Sequence, residues 1–304
     1  MKDKLYMYAL EIANVSKNYG DFQALDQIDF VVEEGSFVGL LGVNGAGKTT
    51  LISSIAGINK FRGKIKVMGY DVIRDVVKAK RCLGVVPQEL AYDPFLTVYQ
   101  TLKFQSGLYG VKNNQSWLDE VINRLYLRDK VNSTTRNLSG GMKRRLMVAQ
   151  ALVHKPPVII LDEPTAGVDV ELRKSLWEFI VELNKDGHTI LLTTHYLEEV
   201  EKLCNKIIMI HKGKIIAQSS KADLINQAGN LPTMVEIETI NGEITDELSN
   251  WLVFREGNLF TFKLDSSDQL LSILSLLKLA NIKIENISIK HPSLEDIFIN
   301  YVHG

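Results

Sequence analysis

One stretch narrows the possible folds more than any other. The apolar run Phe37-Val38-Gly39-Leu40-Leu41 passes directly into Gly42-Val43-Asn44-Gly45-Ala46-Gly47-Lys48-Thr49, which fits the pattern G-x-x-x-x-G-K-[ST] without a substitution. Such a loop sits between a strand and a helix, and Thr50-Leu51-Ile52-Ser53-Ser54-Ile55 continues in helical character. Its glycines let backbone N–H groups turn inward around phosphate oxygens, Lys48 brings a charge toward the outer phosphates, and the Thr49 hydroxyl can sit on Mg²⁺. A helix beginning near Lys48 also points the positive end of its dipole at the anion. The expected phosphate contacts are Gly42, Val43, Asn44, Gly45, Ala46, Gly47, Lys48, Thr49 and Thr50. A nucleoside triphosphate on an α/β scaffold is the expectation.

Two further apolar runs, Val158-Ile159-Ile160-Leu161 and Thr189-Ile190-Leu191-Leu192, have the unalternated character of parallel strands buried on both faces. Each ends in polar residues, Asp162-Glu163 and Thr193-Thr194-His195. Ligands of open α/β sheets gather beyond the carboxyl ends of the strands, so these residues and the phosphate loop are expected along one edge. Leu10 to Val15 and Ile28 to Val32 alternate in polarity instead, as antiparallel strands with one solvated face do. In the stretch from Thr97 to Leu152 the spacing turns helical, with Leu118, Val121, Ile122 and Leu125 three and four residues apart, which predicts a helical insertion at about 97–152.

A Gly229-Asn230-Leu231-Pro232 break sets the expected division into 1–228 and a small α+β C-terminal domain at 229–304. Strand-like pieces lie at Val235 to Ile240, Leu259 to Leu264 and Ile282 to Ile289. Leu270 to Leu277, flanked by Asp268 and Lys278, reads as a core-facing helix rather than a membrane-binding one. Ser293-Leu294-Glu295-Asp296 resembles a capping box opening a last helix through Tyr301.

With 304 residues, 45% of them hydrophobic, the chain has apolar surface enough for one large core and a smaller one. A formal net charge of -1 gives no global field to attract nucleic acid or an anionic membrane, and Lys143-Arg144-Arg145 reads as a solvated helix face. No run approaches the ~18 apolar residues of a membrane span. The opening Met1-Lys2-Asp3-Lys4-Leu5-Tyr6 lacks the apolar core of a signal peptide, so a cytoplasmic location is expected. Cys82 and Cys204 stand outside any metal-ligand spacing and are expected as small buried residues.

Asp162, ending an apolar strand just before Glu163, has the form of a Walker B element: the aspartate holds Mg²⁺ through water and the next carboxylate polarises an attacking water. A strand ending in solvated acids carries the same residues, so the pair alone decides nothing. Leu138-Ser139-Gly140-Gly141-Met142 adds a second anion-binding turn at a helix N-terminus. One nucleotide does not need both turns. Two copies packed head to tail would enclose each triphosphate between the phosphate loop of one and the Ser-Gly-Gly turn of the other. Taken by itself, that segment reads rather as a helix capped by Ser139 with Gly-Gly as a turn.

In order, the phosphate loop, Gln88 within Val85-Val86-Pro87-Gln88, Leu138-Ser139-Gly140-Gly141, Asp162-Glu163, Ala166-Gly167-Val168-Asp169 and His195 resemble the ATP-binding subunit of ABC transporters, over roughly residues 5 to 225. The later segment, with Pro292-Ser293-Leu294-Glu295-Asp296-Ile297-Phe298, resembles the tail of drug or polysaccharide exporter ATPases of the YadG-like type. The resemblance implies a P-loop NTPase fold of the ABC ATPase type, α/β with an antiparallel β subdomain and a helical insertion, plus the small α+β domain. It implies ATP and Mg²⁺ as ligands, with Tyr19 stacked on adenine and Thr49, Gln88 and Asp162 at the metal. Catalysis would fall to Glu163, Lys48, Gln88 and His195, the last holding the γ-phosphate, the water and Glu163 in line. Ser139, Gly140 and Gly141 would meet the ATP of the opposite subunit, and Asp169 would lie at the dimer seam.

The implied assembly is a homodimer of ATPase subunits driving export through a separate multi-span membrane permease at the cytoplasmic face of the cell membrane, with no nucleic acid expected. The chain departs from the family pattern in three places: Met142 stands where many members carry Gln, Gln150 where Arg is frequent, and Ala166-Gly167-Val168-Asp169 where Ser-Ala-Leu-Asp is commoner, with the acid kept. A second reading is a soluble ABC-type ATPase acting on the ribosome or DNA; a single cassette with a short insertion opposes it. A P-loop kinase leaves Leu138 to Gly141 without a purpose.

Overall fold

The computed structural model describes residues 8–89, 92–165, 170–194, 196–228, 233–240, 246–264, 267–290 and 294–303. His195 and the segment 166–169 therefore lie outside the described residues, as does Ser293 of the expected capping box. The chain divides into two compact units at Ser219/Ser220, nine residues before the boundary expected from the Gly-Asn-Leu-Pro break.

In the first unit, β1 (Tyr8–Tyr19) and β2 (Phe22–Glu33) form a long hairpin, and β3 (Phe37–Leu41) leads through the phosphate loop into α1 (Lys48–Ile55). The short strands β4 (Arg62–Val67) and β5 (Tyr70–Asp71) precede α2 (Val76–Arg81) and β6 (Leu83–Val86). Three helices follow, α3 (Val98–Leu108), α4 (Gln115–Arg124) and α5 (Gly140–Leu152), the expected helical insertion. The chain then returns to β7 (Val158–Asp162), α6 (Val170–Lys185), β8 (Thr189–Thr193), α7 (Leu197–Leu203), β9 (Lys206–His211) and β10 (Lys214–Ser220).

Alternation decides which strands go where. In β1 and β2 the buried positions are interrupted by exposed ones, and the two pair antiparallel with Ile12 opposite Phe30, in a sheet of order β2-β1-β4-β5. Strands β3, β7 and β8, built on unalternated apolar runs, are buried at every position and occupy the middle of a second sheet, order β10-β9-β3-β8-β7-β6. Pairings β9/β3, β3/β8, β8/β7 and β7/β6 are parallel. One core joins the two sheets: Leu10, Ile12, Ile28 and Phe30 pack in the same cluster as Val38, Leu40, Ile160 and Leu191, with Leu51 and Ile55 of α1. Each such fully buried side chain is worth about 1.5–3 kcal/mol relative to leaving it in water. The phosphate loop is thus anchored on both sides before any ligand is considered.

The second unit holds α8 (Lys221–Ala228), β11 (Thr233–Thr239), β12 (Leu252–Glu256), β13 (Leu259–Leu264), α9 (Ser267–Leu279), β14 (Ile284–Lys290) and α10 (Leu294–His303). Its antiparallel sheet runs β12-β13-β11-β14. Val235, Ile237, Phe260 and Phe262 form its core with Ile273 and Leu277 of α9, whose other face leaves Leu271 exposed. A core-facing helix was the expectation for that stretch. Among the described residues no helix is long and apolar enough to cross a membrane.

Two expectations need correction. Cys204 is buried, but Cys82 is half-buried at the end of α2. The Lys143-Arg144-Arg145 triplet is not a solvated face: Arg144 is only 4% exposed and its two neighbours are half-buried, because residue 144 falls on the same helical stripe as the buried Met147, Val148 and Ala151.

Candidate nucleotide-binding site

Parallel register brings together the elements expected to be catalytic. Leu40 of β3 and Asp162 of β7 both pair with Thr193 of β8, so the loop after β3 and the acids ending β7 emerge on one edge of the sheet. Thr193 hydroxyl donates to the Asp162 carboxylate, and the Thr49 side chain hydrogen-bonds the same carboxylate. Asp162 is buried, and burial pushes its carboxyl above the usual range, with Glu163 adding to the shift while the two threonines and Lys48 oppose it.

Lys48 is 6% exposed and donates from Nζ to the carbonyls of Gly42 at 2.7 Å and Val43 at 3.3 Å. Burial pulls its ammonium below the usual lysine value, and the charges of Glu163 and Asp162 hold it up. The loop curves because Gly47, at φ 111°, occupies a backbone region that a side chain rarely allows. Ala46 and Gly42 serve the loop differently. The Ala46 side chain is buried in the core and its N–H is already donated to Val43 O at 3.1 Å, while a Cβ on Gly42 would stand 2.5 Å from the Ile210 carbonyl oxygen.

A cleft of about 520 Å³ opens in front of these groups. It is lined by Asn44, Gly45, Gly47, Lys48, Thr49 and Thr50 from the loop and helix, by Gln88 and Glu163, and by Tyr19 at the hairpin tip. Gln88 donates from Nε2 to Glu163 Oε2 at 3.2 Å, so the loop after β6 and the second acid of the expected Walker B pair already touch. Glu163 itself has a left-handed backbone, φ 49°, and its N–H donates to Thr193 O at 3.0 Å.

Tyr19 is half exposed, with Lys17 Nζ 4.7 Å over its ring and its hydroxyl accepting from Asn59 Nδ2 at 2.9 Å. A second aromatic, Phe22, faces Tyr19 across the hairpin pairing and lines the same cleft with Ala24. Sequence reasoning missed Phe22, although Gly20-Asp21 between the two aromatics is a hairpin-turn signal that would have paired them. Asn59 was missed as well, Arg144 was read as solvated, and Thr193 was placed on this edge but without its hydrogen bond to Asp162.

Ser139, Gly140 and Gly141 do not line this cleft. Ser139 caps α5, its hydroxyl accepting from Met142 N at 3.3 Å, and both Ser139 and Gly140 are exposed. From inside the same helix, Arg144 reaches the carbonyls of Pro87, Gln88, Asp162, Glu163 and Pro164. The expected contributions of His195 and Asp169 fall outside the described residues. Among those described, no cluster of three His, Cys, Asp or Glu side chains could hold a metal by itself.

The site's geometry agrees with what the chain is similar to. Residues 25–166 match the ABC transporter family, and residues 226–302 match the DrrA1-3-like C-terminal domain of ATP-binding proteins. The linearmycin resistance ATP-binding protein LnrL of Bacillus subtilis is 39% identical over 236 residues, 77% of this chain and 75% of that protein. The daunorubicin resistance ATP-binding protein DrrA3 of Streptomyces coeruleorubidus is 32% identical across 96% of this chain and 95% of its own length. The Nod factor export ATP-binding protein I of Rhizobium etli is 38% identical over 74% of this chain and 72% of its own. Among solved structures, the ATP-binding subunit of an ABC transporter superimposes with a TM-score of 0.69 at 30% identity, covering 73% of this chain and 93% of its own. These relatives are export and resistance ATP-binding proteins, and they do not support the alternative of a soluble ATPase on the ribosome or DNA. With a phosphate loop, a Walker B pair and a signature turn on one fold, and full-length similarity to DrrA3, this chain belongs to the ABC transporter ATP-binding family as the ATP-hydrolysing subunit of an exporter.

Proposed function

We propose that ATP binds in the cleft with Mg²⁺ and is hydrolysed between two copies of this chain, whose closing and reopening drive a separate multi-span permease at the cytoplasmic face of the cell membrane. The observation that carries the reading is the contact between Thr49 and the Asp162 carboxylate beside the contact between Gln88 and Glu163. It supports a metal-binding role for Thr49 and Asp162 and a water-activating role for Glu163 beside the phosphate loop. Hydroxyl, carboxylate and amide oxygens of Thr49, Asp162 and Gln88 form the hard donor set that Mg²⁺ prefers. When bound, the ion neutralises charge on the outer phosphate oxygens.

The protein's share of phosphoryl transfer is positioning and charge compensation. Tyr19, with Phe22 beside it, offers an aromatic surface to the base, and loop N–H groups with Lys48 hold the phosphates. Glu163 accepts the proton of the attacking water, held toward the cleft by the Gln88 amide. His195 completes the alignment, and Asp169 lies at the seam. The exposed Ser139-Gly140 turn suits a surface meant for the nucleotide of the second copy, since the turn stands outside its own cleft. The small second unit is an accessory domain.

The test is a pull-down of tagged Glu163→Gln protein from detergent-solubilised membranes with ATP present, with co-purifying chains identified by mass spectrometry. A stoichiometric multi-span protein is the expected result. Recovery of only ribosomal or other soluble partners would overturn the permease assignment.

A further inference from the structure

Arg144 is a cation almost without solvent, and no carboxylate side chain forms an ion pair with it among the described residues. A guanidinium has five N–H donors in a fixed fork, and here every one is matched by a backbone carbonyl. Nε donates to Pro164 O at 3.1 Å; Nη1 to Pro87 O at 2.8 Å and Gln88 O at 2.7 Å; Nη2 to Asp162 O at 3.1 Å and to Glu163 O. Those carbonyls belong to two segments only, the loop carrying Gln88 and the strand end carrying Asp162 and Glu163. The third segment is α5 itself, whose first turn is Ser139-Gly140-Gly141.

The Glu163 backbone gives this arrangement a purpose. At φ 49° a residue with a Cβ is held in an unfavourable region, which persists only when its surroundings over-determine it. Arg144 grips the carbonyls on both sides of that residue and its own. A second contact reinforces the link to the Gln88 loop: Lys143 Nζ lies 4.9 Å from the centre of the Tyr92 ring.

We propose that Arg144 is a positioning residue for hydrolysis: its guanidinium fork fixes the left-handed backbone of Glu163 and locks the Gln88 loop to the helix that begins with the signature turn. The inference rests on the roles proposed above for Glu163 and Gln88. About 1.5 Å of rise per residue puts Arg144 some 7–8 Å along α5 from Ser139. A shift of that helix on contact with a second copy is therefore transmitted to the Glu163 segment through three hydrogen bonds and to the Gln88 loop through two. A lysine keeps the charge but has three donors on a point, and it cannot reproduce the fork.

Full-length Arg144→Lys and Arg144→Ala proteins are compared with wild type and with Glu163→Gln, measuring kcat, fluorescent-ATP affinity and the thermal midpoint. The expected result is a fall in kcat of about 10²-fold in both Arg144 variants, the scale of a misplaced catalytic group, with ATP affinity retained. Added guanidinium at non-denaturing concentration should restore part of the turnover in Arg144→Ala and none in Arg144→Lys, whose side chain fills the space. If Arg144→Ala does not fold, Arg144→Lys carries the kcat-against-affinity split alone. Wild-type kcat in Arg144→Lys overturns the proposal, and so does a parallel loss of kcat, ATP affinity and thermal midpoint without guanidinium rescue. Wild-type turnover in Glu163→Gln would instead overturn the functional reading on which it rests.

Discussion

Two glycines three and one residues before Lys48 separate the cost of backbone conformation from the cost of space. At Gly45 the backbone is left-handed, φ 80°, but an added Cβ meets nothing within 4 Å. Alanine there costs about 1–2 kcal/mol for the left-handed conformation, partly offset by about 0.4–1 kcal/mol from a less flexible unfolded chain. At Gly47 the backbone lies at φ 111°, and a Cβ would stand 2.8 Å from the Ala24 carbonyl oxygen and 3.1 Å from Leu25 Cδ2. Backbone strain of about 1–3 kcal/mol is then joined by overpacking of about 1–3 kcal/mol, because a carbonyl in a paired strand cannot swing aside as a side-chain tip can. Gly45→Ala is thus expected to lose about 0–1.6 kcal/mol and Gly47→Ala about 1–5.6 kcal/mol, summing the same contributions. Urea unfolding without nucleotide measures both. Tryptophan fluorescence in a Trp251→Phe background reports the first unit through Trp117 and Trp177, since Trp251 belongs to the second. Equal losses at the two positions, or a larger loss at Gly45, would refute the reasoning.

Other sites give sharper functional readouts. Lys48→Ala removes an ammonium that lines the cleft, and losing a single charge-assisted hydrogen bond of about 1.5–3 kcal/mol should weaken ATP binding about 10- to 150-fold; unchanged affinity in a fluorescent-ATP titration would contradict the assignment. Tyr19→Ala should weaken binding by about 1–3 kcal/mol, the scale of base–aromatic stacking, whereas Tyr19→Phe, losing only the Asn59 contact, should bind nearly as wild type. Equal loss in both would mean that the hydroxyl, not the ring, matters. For pH, burial raises the Asp162 pKa above its unfolded value of 3.8, so its stabilising effect is fully present below that value and is lost as pH rises through the folded pKa. In nucleotide-free protein the stability of Asp162→Asn relative to wild type should therefore grow as pH is raised from acid to neutral. A difference independent of pH, measured by urea unfolding, would reverse that conclusion.

How much of this was legible beforehand depended on the range of the interaction. The phosphate loop, the strands at Phe37, Val158 and Thr189 and the helical insertion follow from local pattern, and local pattern survives folding when a strand is buried on both faces. Strand β12 was not foreseen, since Leu252 to Glu256 is mostly exposed at a sheet edge and carries little apolar periodicity. Arg144 shows the opposite failure. Its place on the buried stripe of α5 was present in the sequence, but a basic triplet reads as solvated until the carbonyls that replace water are known. Asn59 and Thr193 act across long chain separations, 40 residues from Tyr19 and 31 from Asp162, which no single-sequence period reveals.

Counting the buried charges at the site bears on why one subunit would not suffice. Among the described residues, the buried charges Lys48 and Arg144 face Asp162 and Glu163, two cations with two carboxylates, so these groups leave no surplus positive charge to set against a triphosphate. Arg144 is further committed to backbone carbonyls, and burial works against the ammonium of Lys48. Dipoles of the loop N–H groups and of α1 help, but Ala46 N–H is already taken by Val43 O. On the proposed reading the missing charge comes from Mg²⁺ and from the helix N-terminus at Ser139 of a second copy, an end that points its dipole outward and leaves its own cleft unserved. A site near neutrality by itself binds the nucleotide without completing the charge compensation that hydrolysis needs. Turnover should then depend on protein concentration and magnesium together, as expected of an ATPase whose reaction has to wait for closure.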